Sequence, residues 1–304
     1  MDLILHHFNP SPFAEKVRLM FGIKGLSWRS VIIPMIMPKP DLTALTGGYR
    51  KTPVLQIGAD VYCDSRRIAL ELESRHPEPS LFRGGQPGFS LALGAWSDRA
   101  FFEPGAGLAM ALNRTGLPQA VIEDRKAFFN FMDFDTLDES VPHLSTQVRA
   151  HAALLEAQLA DGRDFVFGAQ PELADIQAYF PVWMTRGHVP SADAILEGFA
   201  RLSAWEARMA AIGEGSRADL SAGEAHAVAR ASRPLEGAGV DADDVLKLRD
   251  GERVAVAADD YGRDAVVGEL VTLRSDEVAV RRSAPEVGTV VVHFPRIGYR
   301  ISRI

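Results

Sequence analysis

Residues 51–65 read KTPVLQIGADVYCDS. Val54 to Ile57 and Val61 to Cys63 are short, strand-forming runs on either side of a Gly58-Ala59-Asp60 turn, which is a hairpin signal. Ser65 is expected to cap the following helix, which carries Ile68, Ala69 and Leu72 and stops by Pro77. Working back toward the N-terminus, residues 28–33, WRSVII, read as a strand. Before them, SPFAEKVR at residues 11–18 opens a helix. Its apolar face holds Phe13, Val17, Met20 and Phe21 at i, i+4, i+7 and i+8, and Gly25 ends it. Residues 2–8, DLILHHF, read as a buried strand. The order is therefore β-α-β, a loop segment, then β-β-α. That order gives a small mixed sheet with helices on its faces, its first unit parallel with a right-handed crossover.

Downstream the period changes. From about residue 88 to residue 212 the pattern is helical: Val148, Ala152, Leu155 and Leu159 share one face, as do Phe199, Leu202, Met209 and Ile212. This predicts an all-helical bundle. SAGEAHAVARA at 221–231 is one more helix, with Ser221 and Glu224 at capping-box spacing. Residues 232–244, SRPLEGAGVDADD, are a linker rich in Pro, Gly and Asp. Five valine-rich runs then follow: RVAVAA, AVVGELVTL, EVAVRR, GTVVVHF and YRISRI. Separated by turn signals, they predict a small β-barrel of SH3-like size. The expected domains are 1–82, 88–231 and 245–304, joined by the linker. Arg281, Arg282, Arg296, Arg300 and Arg303 in the last strands read as a local interaction patch or, by preference, as a solvated charged face.

A chain of 304 residues with 47% apolar residues has an ordinary globular composition for two or three domains. The net charge of −7 argues against a dedicated nucleic-acid binder. The single cysteine, Cys63, rules out an internal disulfide and a thiolate metal cluster. MDLILHHFNPSPF has neither a cationic segment nor a long apolar run, so no signal peptide or membrane span is expected, and the cytoplasm is the expected compartment.

Three stretches carry a resemblance. NPSPFAEKVRLMFGIKGL, residues 9–26, is similar to the strand-to-helix turn and first helix of glutathione S-transferases. Its SPFAEKVR is close to the omega-class form, with Ser11 where that class has cysteine. TPVLQIGADVYCDS, residues 52–65, resembles the family's proline, hairpin and acid-serine pair. PELADIQAYFPVW, residues 171–183, resembles the buried start of a core helix in the family's second domain, with Glu172 where Ser or Thr usually caps. The resemblance covers about residues 1–231. It implies a multi-domain chain: a thioredoxin-like α/β domain that binds glutathione (1–82), an all-α helical bundle (88–231), and outside the family pattern the small C-terminal all-β barrel.

The resemblance also assigns roles. Thr52, before Pro53, would pair its backbone with the cysteinyl unit of glutathione; proline tolerates a cis peptide here, and the plain alternative is a proline that begins an edge strand. Asp64 would meet the γ-glutamyl ammonium, and Ser65, at a helix N-terminus, the neighbouring carboxylate. An ordinary N-cap with an acidic neighbour is the alternative. Lys51 and Arg50 could meet the glycyl carboxylate or be solvated loop charges. Ser11 followed by Pro12 is a standard helix start. The same electropositive place would favour a thiolate, and a hydroxyl donating to the sulfur would favour it further. Phe8 stands where the tyrosine-type classes have their tyrosine, and His6, His7 and Asn9 are the substitutes, although lone histidines on a strand are more often structural. Cys63 reads as a buried structural thiol. Trp96, Arg99, Phe102 and Met110 follow the domain junction and are candidates for the electrophile's pocket, although apolar residues at helical spacing are more often core.

Two readings follow. One is a glutathione S-transferase-like enzyme with Ser11 catalytic, glutathione as co-substrate, a small electrophile as partner and a homodimeric assembly. The other is a non-catalytic module of the same fold that binds partners through its C-terminal β domain.

Overall fold

The computed structural model describes residues 2–82 and 87–304. The chain divides into two compact units. One comprises Met1–Val17, Ser27–Glu71 and Ser216–Ile304, and the other Arg18–Leu26 and Leu72–Gly215.

The first unit is a sheet built from both ends of the chain. Strands β1 (Ile4–His7), β2 (Ser27–Ile32), β3 (Val54–Ile57) and β4 (Asp60–Cys63) alternate with the helix starts of α1 (Pro12–Ile23) and α3 (Ser65–Arg75). β1 pairs parallel with β2 and antiparallel with β3, and β3 pairs antiparallel with β4. The hairpin, the two flanking strands and the parallel first unit thus lie where the hydrophobic runs placed them.

Two short elements differ from the expectation. Residues 34–50 were expected as loop, and they hold α2 (Pro40–Thr46). Seven residues between prolines and a double glycine are too few to show a period. Gly47 closes α2 in the left-handed region at φ 80, and a Cβ there would come within 2.6 Å of the Arg282 guanidinium. β5 (Ser216–Asp219), with sequence SRAD, pairs parallel with the outside of β2. It is a short, mostly exposed edge strand, and its polar residues carry no strand signal. It leads into α11 (Ala222–Ala231), whose Ser221–Glu224 capping box is formed as expected.

The linker contributes β6 (Gly239–Val240), which pairs in parallel with Thr272 and Leu273. The five valine-rich runs become β7 (Arg253–Ala258), β8 (Val266–Leu273), β9 (Glu277–Ala284), β10 (Gly288–Pro295) and β11 (Tyr299–Arg303), hydrogen-bonded in the order β11-β7-β8-β9-β10. This β-rich C-terminal region does not stop at β10. Val291, Val292 and His293 pair in parallel with Asp60, Val61 and Tyr62 of β4, so the ladder continues through β4-β3-β1-β2-β5. Each edge strand covers the unpaired edge of the other. One apolar core runs through both parts and includes Ile4, Val54, Val61, Val280, Val292 and Phe294.

The junction also carries buried charge. His293 offers Nε2 to Asp60 Oδ1 at 3.1 Å and Nδ1 to Glu277 Oε1 at 2.6 Å, and its ring stacks on Tyr62 at 4.5 Å. A carboxylate at each nitrogen favours the doubly protonated ring, in which both nitrogens donate. Burial works to lower its pKa, but the bonds to Asp60 and Glu277 outweigh that and leave it raised. Arg67 lies 2.7 Å from Glu71 and 3.7 Å from Glu277. Of the arginines expected on a solvated face, Arg282 turns inward and donates to the carbonyls of Ala44 and Leu45 at the end of α2. Arg303 pairs with Glu252.

The second unit is helical, as the periodicity predicts. It holds α4 (Gly88–Ala95), α5 (Phe102–Asn113), α6 (Gln119–Phe128), α7 (Val141–Gln158), α8 (Leu173–His188), α9 (Ala192–Ile195) and α10 (Ala200–Ile212). α8 is the central helix, with twelve of its sixteen residues buried. The serine or threonine missing at position 172 is compensated from the other side. Asp175, in the first turn of α8, accepts from Glu172 N at 3.2 Å, Val166 N at 2.7 Å and the Trp205 indole at 2.9 Å. Among the described residues no helix is long and apolar enough to cross a membrane.

Candidate functional site

The register of the first unit brings the sequence-derived site residues to one end of the sheet. Val54, at the start of β3, lies opposite His6, the penultimate residue of β1, and opposite Cys63 at the end of β4. The chain therefore enters β3 through Thr52 and Pro53 between two exits. One leads through Phe8 to Ser11 and the N-terminus of α1. The other leads to Asp64, Ser65 and the N-terminus of α3. Two helix starts thus flank one bend of backbone, and each presents the positive end of a helix dipole. The Thr52–Pro53 bond is cis.

At α1, Ser11 is 3% exposed. Its Oγ accepts from Ala14 N at 3.2 Å and its carbonyl from Glu15 N at 3.1 Å, so it is a true N-cap. The cap uses a lone pair of the hydroxyl and leaves the O–H proton to donate. Capping and donation to a sulfur are therefore compatible roles for one side chain.

At α3, the cap is Asp64 and not Ser65. Asp64 Oδ1 accepts from Arg66 N at 2.9 Å and its carbonyl from Ile68 N at 3.0 Å; Ser65 is the first helical residue and is buried. Asp64 sits at φ 77, a left-handed conformation that short polar side chains tolerate better than most. Its second oxygen has a partner from the far end of the chain: Tyr299 donates to Oδ2 at 3.2 Å, and the Tyr49 and Tyr299 hydroxyls lie 3.1 Å apart. Burial pushes both phenols well above their ordinary pKa, and the nearby Asp64 charge adds to it, so both stay neutral donors.

Lys51 is held too. Its Nζ lies 2.5 Å from Asp260 Oδ1 and 4.2 Å above the Tyr261 ring. A cation that the sequence analysis missed bonds Thr52 directly. Lys39 is buried, donates to Arg50 O at 2.9 Å and to Thr52 Oγ1 at 3.3 Å, and lies over the Phe8 ring. A lysine fixed between Pro38 and Pro40 was the available signal. Nothing in YRISRI or AADDYG marked Tyr299 or Asp260 as neighbours of residues 49–64, because that proximity comes from the β4–β10 pairing.

The substitutes for thiol activation have other work. His6 bonds Gln56 at 2.9 Å, and burial lowers its pKa to about 4 despite that bond. His7 bonds Ser30 and lies edge-on to Trp28. Asn9 Oδ1 accepts from Arg217. Cys63 is fully buried, and burial and Asp64 push its thiol well up, in keeping with a structural role.

Residues 5–80 match the model of the glutathione S-transferase N-terminal domain, and residues 138–208 that of the C-terminal domain. The solved structure of a GST-like protein from Pseudomonas syringae is 39% identical, with a TM-score of 0.81 over 99% of this chain and 100% of that one. The chain belongs to the glutathione S-transferase family. Other members share the fold alone. A glutathione S-transferase from Rhodospirillum rubrum is 23% identical over 68% of this chain and 86% of its own, with a TM-score of 0.51. A glutathione transferase family member from Pseudomonas fluorescens, solved with two glutathione molecules bound, is 13% identical over 69% and 88%, with a TM-score of 0.53. No curated protein matches the chain. The 39% relationship spans the C-terminal strands as well, so the β-rich region occurs in a second GST-like protein and not in this chain alone.

Proposed function

We propose that this GST-family protein is an enzyme that binds glutathione along Thr52–Pro53 and ionises its thiol at Ser11 for attack on a small electrophile. The register carries this reading: it sets the entry to β3 between the helix starts at Ser11 and Asp64. A γ-glutamyl thiol laid along Thr52 would have its ammonium toward Asp64 and its carboxylate toward Ser65 at the start of α3. The sulfur would lie toward Ser11, where helix dipole and hydroxyl both favour the thiolate, the form that attacks. Lys51 is paired with Asp260, so its part in holding the glycyl carboxylate requires sharing that ammonium. Homodimerisation is part of the same reading.

A second reading, a non-catalytic binding module, is favoured by the burial of Ser11 and by the tyrosine already on Asp64. Glutathione turnover with a panel of electrophiles, measured on the intact chain and on Ser11→Ala, separates the two. The enzymatic reading expects turnover, a kcat about tenfold lower in the variant with KM for glutathione little changed, and a raised pKa of the bound thiol. Binding without turnover would favour the module.

A further inference from the structure

Tyr299 enters the candidate site from outside the segment that matches the family's N-terminal domain, residues 5–80. We infer that Tyr299 is a positioning residue of the glutathione site, fixing the Asp64 carboxylate for the α-ammonium of a γ-glutamyl thiol. The inference rests on the role proposed above for Asp64.

An ionised carboxylate has about four acceptor positions. Arg66 N takes one on Oδ1 and Tyr299 one on Oδ2, which leaves acceptor positions on both oxygens. Asp64 is half-buried, whereas Tyr49 and Tyr299 are 4% and 6% exposed, so the carboxylate is the member of the group that a ligand reaches. Both phenols are neutral. Tyr299 spends its proton on Asp64, and its oxygen is then the acceptor for Tyr49. The result is a donor chain that runs Tyr49 to Tyr299 to Asp64. Phe294 packs against both rings, at 5.8 and 5.2 Å, and holds them in place.

The same end of the C-terminal strands makes the other contact. Tyr299 pairs with Ala258, and two residues after Ala258 comes Asp260, which takes Lys51. The β7–β11 pair and the bend just after β7 thus hold residues 49, 51 and 64, on both sides of the Thr52–Pro53 bend. An acid fixed in place before the ligand arrives loses less freedom on binding.

The test is calorimetry on the full-length protein and on Tyr299→Phe, with glutathione and with its analogue lacking the α-ammonium. Phenylalanine keeps the buried ring and removes only the donor. The expected result is glutathione binding about five- to tenfold weaker in the variant, KM raised with kcat unchanged, and the analogue bound equally by both proteins. Tyr49→Phe, one step further back, is expected to give the same selective loss at about twofold, and it decides the matter should Tyr299→Phe not fold. Unchanged or tighter glutathione binding in the folded variants would overturn the inference, the tighter case showing that Tyr299 masks Asp64. Equal weakening of glutathione and analogue would overturn it too, since a merely structural tyrosine predicts that. Failure of the unmodified protein to bind glutathione is a different result: it removes the proposed function and this inference together.

Discussion

Each unit has an aspartate that supports the start of a helix, and the two are used in opposite ways. Asp175 in the helical unit is fully buried, and its oxygens receive two backbone N–H groups and an indole. Burial pushes its pKa up to about 6, against the pull of those three donors, so at neutral pH it is an anion enclosed by its own fold. Asp64 in the sheet unit is half-buried, receives one backbone N–H and one phenol, and sits in a left-handed conformation. Satisfaction with no access marks a carboxylate that holds the structure. Satisfaction with access and spare lone pairs marks one that is available to a ligand.

Removing each acid is the way to break this contrast. Asp175→Ala leaves three buried donors without an acceptor and is expected to cost about 4 kcal/mol of stability. Chemical denaturation should show it; a loss under about 1 kcal/mol would mean that water replaces the carboxylate. His293→Ala, at the β4–β10 junction, leaves Asp60 and Glu277 facing an empty space and is expected to cost about 3 kcal/mol. Its pH dependence follows from two opposite shifts. His293 is raised above its ordinary 6.5, so its contribution is complete below 6.5 and fades as pH rises through the folded value. Burial works to raise Glu277, but His293 and then Arg67 hold it below its ordinary 4.5, so its contribution is present above 4.5 and is lost as pH falls through the folded value. The difference in stability between the two proteins should therefore be widest between pH 4.5 and 6.5. A difference that grows toward alkaline pH would remove the imidazolium from the account. Asp64→Asn is the mildest for the fold, about 1 kcal/mol or less, because asparagine also caps helices and tolerates the left-handed region. Its glutathione affinity should nevertheless fall tenfold or more, and a large loss of stability with affinity kept would reverse the contrast.

What the sequence revealed followed element length and polarity. The hairpin at 54–63, the helix at Pro12 and the five C-terminal strands all have enough apolar periodicity to be read one by one. α2 and β5 were hidden because one is seven residues between prolines and glycines and the other is four mostly exposed polar residues. The cap at α3 was shifted by one residue because Asp64 and Ser65 both have capping chemistry, and only the backbone angles choose between them. The candidate site was half legible. Ser11, Thr52, Pro53, Asp64 and Ser65 follow local motifs, but Tyr299, Asp260 and Lys39 do not. Two of those three come from a parallel pairing of distant strands, and no local pattern in VYC or VVVHF names its partner. The one physical hint was that β4, as the last strand of a small sheet, needs something to cover its edge.

The sheet unit is discontinuous in the chain, and this has a consequence for how the protein is born. On the ribosome the helical unit is complete once Gly215 has emerged, while the sheet unit still lacks its last 89 residues, 216 to 304. Until then β4 lacks its β10 partner and the shared apolar core lacks its larger part, a condition that exposes nascent chains to mispairing. The strands that bring Tyr299 to Asp64 are therefore also the ones whose late arrival ends that exposure.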